Sequence, residues 1–451
     1  MIALTSNMTD KPDQAALSID EAMQLATELH RAGHREDAFR IYTRVLEQVP
    51  GHADALHFLA ILAHEQGNES AAIELMTQAV AAAPDHAGFR SNLGNLLLGS
   101  GRFEGAEREY RRALELDPDR PDVLNNHAVL CKALGRDDEA EHSLLRALAL
   151  AEGFTDARNN LARLYLRLGR IEEAVAQARQ ALAHAPGHSA SREMLGKVYC
   201  KAGHFEAAAR VYRDWLAAEP GHPKATHHLA ACTGEGVPPR ASDEYVRQVF
   251  DRFADSFDAR LAVLGYRAPA LVAAAVTAEP SLSAGGLRIL DAGCGTGLCA
   301  PLLKPFAGRL TGVDLSARML AKARQRGLYD VLEQIELTAH LRARTADYEL
   351  IVSADTLVYF GVLEEPVGAA AAALSVGGLL CFTLEALGAD ESGDYHLRHH
   401  GRYAHARAYL ESVLGRAGLI LLRLDAEILR SEGGEPVAGW LVLARRPAIR
   451  A

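Results

Sequence analysis

The sequence has few of the features that mark secreted, membrane-spanning or disulfide-rich proteins. It contains six cysteines in 451 residues, and none of them forms a Cys-x-x-Cys pair. The closest two, Cys294 and Cys299, have no partner pair or histidine cluster, so we predict neither a disulfide framework nor a metal centre. The N-terminal segment 1–18 shows no basic stretch followed by an apolar one, and no apolar run is long enough to cross a bilayer. We therefore expect no secretion signal, no membrane span and a cytoplasmic location.

The sequence also lacks an excess of basic charge. It carries 26 basic and 33 acidic residues up to Arg240, and 22 basic and 25 acidic residues beyond it. This balance excludes general nucleic-acid binding by either part. Because the first part is the more acidic, we expect it to bind a basic or neutral polypeptide rather than an acidic one.

A strict sequence period organises the first half of the chain. Glycines recur at one constant spacing, at Gly33, Gly67, Gly101, Gly135, Gly169 and Gly203. Alanines follow each glycine at a fixed offset, at Ala38, Ala72, Ala106, Ala140, Ala174 and Ala208. A third fixed position holds Pro50, Pro84, Pro118, Pro186 and Pro220, with Glu152 in the remaining repeat. Such a period indicates an array of identical structural units.

Each unit is predicted to form two helices. The glycine ends the first helix, the alanine lies where the helices approach most closely, and the proline ends the second. This pattern resembles the tetratricopeptide repeat, and it predicts an all-α solenoid over residues 19–231, formed by six repeats and a capping helix from Pro223. Residues 1–18 are expected to be flexible.

Asparagines occupy the same position of three successive first helices, at Asn92, Asn126 and Asn160. In a solenoid they would form a ladder of carboxamides along the concave face, able to bind an extended backbone. The arrangement resembles the asparagine ladder of O-linked N-acetylglucosamine transferase. We therefore predict a protein or peptide in this groove, the alternative being that asparagine is a tolerated polar residue there. The repeats could also mediate homo-oligomerisation.

Residues 232–241 contain two glycines and two prolines and are predicted to form a short linker. Aromatic residues then recur at helical spacing after Ser242, including Phe250 and Phe257, either as core or as a roof over a ligand. From Leu287 onward, short apolar runs alternate with helical stretches, which predicts a parallel α/β sheet. The predicted strands are Leu287–Asp291, Leu310–Asp314, Glu333–Leu337, Glu349–Ala354, Gly378–Leu384, Leu419–Asp425 and Gly439–Arg445.

A glycine-rich motif follows the first of these strands. The strand ends near Asp291, and Gly293, Gly295 and Gly297 alternate before the next helix. Glycines there allow a tight turn and a close approach of the backbone to a ligand. Asp314 ends the next strand, where a carboxylate can accept both hydroxyls of a ribose.

The spacing Asp-x-Gly-x-Gly-x-Gly differs from the dinucleotide fingerprint and resembles the first motif of class I S-adenosylmethionine-dependent methyltransferases, over residues 242–451. The resemblance implies a Rossmann-like seven-stranded domain with S-adenosylmethionine as its cofactor. It places Asp291 and the glycine loop, including Cys294, at the methionine end of the cofactor, and Asp314 at its ribose.

The same resemblance implies contacts with the adenine. Leu315 and Met319 would flank the ring, while Glu336 and Leu337 would contact its amine side, with Asp330 as the competing acid. Asp355 ends the fourth predicted strand, where it would contact the cofactor and the reacting groups or merely cap a turn.

A segment rich in histidine, Tyr395 to His405, interrupts the pattern after the fifth predicted strand, where this fold usually builds its acceptor pocket. We predict His405 as a general base, with Asp355 and Tyr403 as further catalytic candidates and Tyr395 and Arg402 as substrate-binding residues. A solvated loop is the alternative. Residues 257–269 together with 401–405 resemble a bacterial family of repeat-bearing predicted methyltransferases, whose acceptors the resemblance does not name.

The predicted protein is therefore a tetratricopeptide solenoid that presents a protein or peptide to a methyltransferase domain at 242–451. One alternative is a small-molecule methyltransferase whose repeats serve for oligomerisation or scaffolding. Another is a non-catalytic binding or assembly factor, against which the complete cofactor motif argues.

Overall fold

The computed structural model describes residues 17–279, 286–388 and 390–448. The predicted flexible segment 1–18 lies almost wholly outside this range. The chain divides into two compact units, Met1–Ser191 and Arg192–Ala451. The division falls inside the sixth repeat rather than in the predicted linker.

The first unit consists of paired helices in chain order. They are α1 (Ile19–Arg31), α2 (Arg35–Gln48), α3 (Ala53–Glu65), α4 (Glu69–Ala82), α5 (Ala87–Gly99), α6 (Phe103–Leu116), α7 (Pro121–Ala133), α8 (Asp137–Leu150), α9 (Thr155–Arg167) and α10 (Ile171–His184). Helix α11 (Ser189–Lys201) begins in this unit and continues into the second.

The repeat residues act as the sequence predicts. The turn glycines have positive φ, such as 84° at Gly33 and 75° at Gly169, a conformation that costs other residues energy. The repeat alanines are buried between paired helices, and Ala38 and Ala106 are fully buried. Helix α8 ends at Leu150, in register with the others, although Glu152 replaces the proline there. The packing period therefore sets the helix ends, and proline only reinforces them.

The second unit starts with helices and continues as an α/β domain. Its first helices after α11 are α12 (Phe205–Ala218), α13 (Pro223–Thr233), α14 (Asp243–Phe253), α15 (Phe257–Val263) and α16 (Ala268–Thr277). The domain continues with β1 (Leu287–Ala292), α17 (Ala300–Leu303), β2 (Ala307–Asp314), α18 (Ala317–Gln325), β3 (Val331–Gln334), α19 (Leu337–Arg342), β4 (Tyr348–Ser353), α20 (Glu364–Ala373), β5 (Leu374–Ala386), β6 (Tyr395–Leu397), β7 (Tyr403–His405), α21 (Arg407–Arg416), β8 (Ile420–Glu432) and β9 (Glu435–Arg445).

The sheet has the predicted parallel core with an antiparallel end. Strands β3, β2, β1, β4 and β5 lie side by side and parallel, β9 runs antiparallel to β5, and β8 pairs with β9. Alternate residues of each strand face the two helical layers: Leu290 and Ile289 belong to different core clusters. The strand order reverses between β1 and β4, since β2 and β3 lie on one side of β1 whereas β4 and β5 lie on the other. Ligands of open α/β sheets bind at the carboxyl ends of the strands beside such a reversal.

Several strands differ from the prediction. The third strand is Val331–Gln334 rather than Glu333–Leu337, and Leu337 begins α19. Strand β8 continues to Glu432, well beyond the predicted end at Asp425. The segment from Tyr395 to His405 forms the antiparallel pair β6 and β7, and β7 extends the sheet beside the end of β5. The sheet thus has seven main strands and a short additional hairpin.

The predicted linker is fastened to the α/β domain. Helix α13 ends at Thr233, and Gly234 follows with a φ of 69°. The carbonyl of Pro239 accepts hydrogen bonds from the backbone N–H groups of Gly361 and Val362, both at 2.8 Å. These contacts fix residues 238–241 against the loop after β4.

Among the described residues, no single helix is both long and apolar enough to cross a membrane. Within the same described residues, the helical segments Asp243–Val263 and Ala268–Thr277 together are long and apolar enough, but the chain bends between them.

Candidate cofactor and acceptor site

The glycine loop after β1 lies against the loop after β4. Gly293 and Cys294 donate their backbone N–H groups to the carbonyl of Val313, each at 2.9 Å. A Cβ atom at Gly293 would lie 2.1 Å from Thr356 Oγ1, and the φ of Gly293 is 77°. Only glycine fits this position, and the close approach brings Gly293, Cys294 and Gly295 to the wall of one cavity. Gly297, the last glycine of the motif, does not line it.

Asp314 ends β2 and also lines the cavity. Its Oδ2 accepts the N–H of Gly295 at 2.9 Å, and its Oδ1 accepts the N–H of Ser316 at 2.8 Å. Burial raises the pKa of this carboxyl to about 6, although both hydrogen bonds oppose the shift. The two bonds fix the carboxylate, and each oxygen keeps a second lone pair for a ligand.

Glu336 and Asp330 were the two acids predicted as alternatives for the adenine contact, and the structure places them differently. Glu336 lines the cavity, and its Oε2 caps α19 by accepting the N–H of Ala339 at 2.8 Å. Asp330 lies outside the cavity lining, where it pairs with Lys304 at 3.1 Å and accepts the N–H of Leu310 at 2.7 Å. Only Glu336 is placed to meet a ligand.

Two other predicted cofactor residues are buried rather than exposed to the cavity. Asp291 is 1% exposed, and its Oδ2 accepts the hydroxyl of Tyr329 at 2.6 Å. Burial raises the pKa of Asp291 to about 7. Met319 is fully buried in α18. Neither Asp291 nor Met319 lines the cavity, whereas Leu315 and Leu337 do, as predicted.

Helices α14 and α15 cover the cavity. Phe250 and Phe257 line it together with Val246, and they form the roof that the sequence offered as one alternative. Acidic residues on the same helices fasten the roof: Asp251 accepts the hydroxyl of Ser316, and Asp258 accepts that of Thr296. The roof therefore contacts both the glycine loop and the residues after Asp314.

Charged residues joined in one network form another part of the cavity wall. Arg430 is 3% exposed and contacts Asp355 Oδ2 at 2.6 Å, Glu432 at 2.7 Å and Glu385. Arg402 donates to Glu385 and to Glu432, each at 2.6 Å. Arg402, the predicted substrate-binding residue, therefore lines the cavity with Asp355, Arg430 and Glu432.

Asp355 has an unusual backbone within this network. It is one of two non-glycine residues with positive φ among those that the structure describes, at 59°. Its N–H donates to Thr383 Oγ1 at 2.9 Å, and burial raises its pKa although Arg430 opposes the shift. Strained residues of this kind cluster at functional sites.

Three predicted residues of the histidine-rich segment do not reach the cavity. His405 is fully buried in β7, where its Nε2 donates to the carbonyl of Gly361 at 3.2 Å. Tyr403 donates its hydroxyl to the carbonyl of Pro238 at 2.8 Å, and Tyr395 packs on Gly361 and Tyr409. Burial lowers the pKa of His405 to about 4. Its expected role as a base that an acceptor can reach does not fit this placement.

The histidines of this segment do not converge on a common metal position. His396 contacts Glu391, His399 the carbonyl of Ala231, and His400 Glu385. Elsewhere in the described parts of the chain, one group brings three ligand types within 4.8 Å of one another: His127, Cys131 and Glu139.

The three ladder asparagines are half-buried on α5, α7 and α9 and have partners within the first unit. Asn92 contacts His57 Nε2 at 2.9 Å, and Asn160 donates to Asn125 at 2.7 Å. Asn126 accepts from Asn125 at 3.4 Å. Part of the hydrogen-bonding capacity that a guest backbone would need is therefore already used.

Sequence reasoning missed Arg430, Glu385 and Glu432. Glu385 lies near the end of the apolar strand β5, and the other two lie on β8. The one sequence signal for this network was Glu385, a charged residue at the end of an otherwise apolar strand. It does not indicate its partner Arg430, because that residue lies 45 positions further along the chain.

The cavity combines these elements around about 1230 Å³ of empty space, part of it open to solvent. Two of its buried carboxylate oxygens, Glu336 Oε1 and Asp355 Oδ1, have no hydrogen-bond partner in the described part of the chain. Buried polar atoms are almost always paired, so these two point to donors on a ligand. The cavity is lined by residues that follow β1, β2 and β4, beside the point where the strand order reverses, which is where open α/β sheets bind their ligands.

Comparisons with known proteins identify two kinds of domain in the chain. Residues 29–87, 63–130, 119–187 and 159–223 match family models of the tetratricopeptide repeat. Residues 289–378 match a family model of a methyltransferase domain. The chain therefore contains tetratricopeptide repeats followed by a methyltransferase domain, as the sequence motifs indicate.

Two curated proteins are similar to a limited part of this chain. Human methyltransferase-like protein 27 is 42% identical over 84 residues, which cover 18% of this chain and 34% of that protein. Malonyl-[acyl-carrier protein] O-methyltransferase of Enterobacter lignolyticus is 33% identical over 96 residues, 21% of this chain and 38% of that protein. The chain thus spans little more than a third of the length of these relatives.

Two solved structures resemble the chain over part of its length. A tetratricopeptide repeat protein of Thermus thermophilus is 27% identical, with a TM-score of 0.36, covering 41% of this chain and 100% of that one. The type IV pilus biogenesis factor PilW is 22% identical, with a TM-score of 0.44, covering 47% of this chain and 98% of that one.

Proposed function

We propose that the protein transfers the methyl group of S-adenosylmethionine to an acceptor bound in the same cavity. One observation carries the proposal. The cavity brings together the glycine loop, Asp314, and the two buried carboxylate oxygens of Glu336 and Asp355 that lack partners among the described residues.

The residues of the cavity fit this cofactor. S-Adenosylmethionine presents hydrogen-bond donors along its length: an adenine amine, two ribose hydroxyls and an α-ammonium group. Glu336 Oε1 is an acceptor for the amine, the fixed Asp314 carboxylate an acceptor for the hydroxyls, and the glycine loop holds the methionine end. Leu315 and Leu337 offer apolar contact for the adenine ring. When bound, the cofactor supplies a methyl group on a positively charged sulfur, which needs no further activation.

The remaining work falls to residues at the acceptor end. Asp355 Oδ1 can accept a hydrogen bond from the acceptor and receive a proton where the acceptor loses one. Arg430 fixes the other oxygen of Asp355, so the carboxylate is oriented before an acceptor arrives. The aromatic roof of Phe250 and Phe257 excludes water from the reacting groups.

The repeats are proposed to bind a protein or peptide that is the acceptor or delivers it. Support comes from the match to tetratricopeptide repeats, the half-exposed asparagines and the acidic balance of the first half. A small metabolite is a second candidate acceptor, because the acceptor end is roofed by α14 and α15 and enclosed by the Arg402–Arg430 network.

Calorimetry with S-adenosylhomocysteine, the demethylated cofactor, tests the binding site. We expect Asp314→Asn to weaken affinity by about 10- to 100-fold, since hydrogen bonds to a charged group contribute about 1.5–3 kcal/mol. Glu336→Gln is expected to weaken it less, because the amide oxygen can still accept a hydrogen bond.

Asp330→Asn is the matched control. It makes the same change of charge at the acid that competed with Glu336 but does not line the cavity, so its affinity should stay within twofold of the original protein. Equal affinities of Asp314→Asn and the unchanged protein would overturn the assignment of the cofactor site.

A further inference from the structure

The turn between β6 and β7 carries Arg402 into the acceptor end of the cavity. Arg402 directly precedes β7, and its guanidinium is held by Glu385 and Glu432, each at 2.6 Å. Hydrogen bonds of this length tolerate displacements of only a few tenths of an ångström. Whatever holds the turn 398–402 therefore sets the position of the Arg402 side chain.

Helix α12, the second helix of the sixth repeat, and α13, the capping helix, hold this turn. His227 on α13 donates from Nε2 to the carbonyl of Gly401 at 2.8 Å. In the opposite direction, His399 of the turn donates from Nδ1 to the carbonyl of Ala231 at 2.9 Å. The His399 ring also stacks on Phe205 of α12, with 3.8 Å between ring centroids. The two hydrogen bonds and the ring stack thus join the repeat helices to both ends of the segment 399–401.

The contact is closely packed and internal. His227 is 3% exposed, and its ring stacks on Tyr245 at a centroid distance of 4.1 Å. Gly401 has a φ of 92°, and a Cβ atom there would lie 2.4 Å from the Tyr245 hydroxyl oxygen. Only a glycine turn can approach α13 and α14 this closely.

The other side of the same hairpin is held by the chain that follows α13. Tyr403 donates its hydroxyl to the carbonyl of Pro238 at 2.8 Å. Both neighbours of Arg402 in the sequence, Gly401 and Tyr403, are therefore hydrogen-bonded to residues 227–238. Glu385 and Glu432 on the sheet grip the Arg402 side chain between these two anchors.

We propose that His227 and His399 are positioning residues of the methyltransferase, through which helices α12 and α13 set the place of Arg402 at the acceptor end. This inference rests on the proposed function. The end of the repeat array is then part of the machinery for methyl transfer, beyond any role of the repeats in binding a partner. A displacement of the turn shifts Arg402 from Glu385 and Glu432 but leaves Asp314, Glu336 and the glycine loop unchanged.

The test uses the full chain with His227→Leu, His227→Gln and His399→Ala, beside Arg402→Ala as a reference. The matched control is His204→Ala. It replaces an exposed histidine that directly precedes Phe205, the first residue of α12. Hydrogen exchange of residues 395–405, affinity for S-adenosylhomocysteine, and transfer of labelled methyl groups to acceptors in a cell extract are measured for each.

We expect His227→Leu and His399→Ala to speed exchange of residues 395–405 by at least about tenfold and to lower methyl transfer toward the level of Arg402→Ala. Cofactor affinity should stay within twofold, which general unfolding would not allow. His227→Gln should recover transfer, because its side-chain amide also donates a hydrogen bond. If His227→Leu does not fold, the exposed His399 provides the same comparison.

Unchanged transfer in both variants, or a loss of transfer matched by a loss of cofactor affinity, would overturn the inference. If the wild-type protein binds the cofactor but transfers no methyl group, this result contradicts the proposed function instead. The exchange rates then still decide whether α12 and α13 hold the turn.

Discussion

The carboxyl group of Asp314 is both buried and, in the proposed complex, required in its ionised form. Burial raises its pKa to about 6, while the N–H groups of Gly295 and Ser316 orient it. An ionised carboxylate accepts hydroxyl hydrogen bonds more strongly than a neutral carboxyl group. Protonation therefore competes with the cofactor for the same group, and cofactor binding should lower the pKa of Asp314.

We expect the affinity for S-adenosylhomocysteine to fall about tenfold from pH 7 to pH 5. One pH unit below a pKa of 6, only about a tenth of the Asp314 carboxyl groups remain ionised. Calorimetric titrations at half-unit steps measure the change.

Asp314→Asn should bind weakly with no such step, and Asp291→Asn separates the effect from the titration of Asp291, whose pKa is about 7. An affinity of the original protein that is flat or rises toward pH 5 would contradict the proposed contact with the ribose.

Single residues were predictable where the signal is local. Gly293, Asp314 and Glu336 lie in or just after short strands whose apolar runs mark their ends, so the sequence places them at one edge of the sheet. Asp355 was identified for the same reason. Its partner Arg430 is 75 residues away on β8, and no periodicity links the two positions. His405 was predicted as a general base from its residue type, and only the fold shows that it is buried in β7.

At the scale of elements, the helices of the repeats follow from the constant spacing of the turn glycines, since each helix contacts mainly its neighbours in sequence. Strands β6 and β7 are too short to show a recognisable alternating run in the sequence. Strand β6 pairs with β7, and β7 pairs with the end of β5. Helices α12 and α13 belong to the repeat pattern in sequence but to the second compact unit in structure. Contacts of Phe205, His227 and Ala231 with the turn at 399–401 account for this difference.

This organisation predicts where the chain can be divided. We expect a fragment of residues 189–451, which keeps α11 to α13, to unfold cooperatively and to bind S-adenosylhomocysteine as the full chain does. A fragment of residues 234–451 should melt lower by about 5 °C or more, since it loses two hydrogen bonds of about 1 kcal/mol each and the burial around His227. Scanning calorimetry and ligand titration compare the two.

Equal melting temperatures and equal protection of residues 395–405 from exchange in the two fragments would show that α12 and α13 contribute nothing to the second unit. The predicted linker at 232–241 would then be the true boundary.

For the whole molecule, the matches to tetratricopeptide repeats and a methyltransferase domain give the architecture, and the proposed chemistry rests on the cavity of the second unit. The helical repeats and the parallel sheet could be predicted because both arise from regular patterns. The acceptor end could not, because it depends on side chains from β5, β8 and the β6–β7 turn that meet only in the folded domain. The identity of the acceptor is therefore a question for chemistry rather than for sequence motifs.

The most direct test of the central claim is methyl transfer itself. The full chain is incubated with a cell extract and S-adenosylmethionine labelled in its methyl group, and label in protein is separated from label in small molecules. Asp314→Asn and Asp330→Asn serve as paired variants. We predict that the original protein and Asp330→Asn transfer label, that Asp314→Asn does not, and that the label is found in polypeptide. Label found in small molecules would show that the acceptor is a metabolite rather than a polypeptide. Transfer by the wild-type protein no greater than that by Asp314→Asn would contradict the claim that this protein is a methyltransferase.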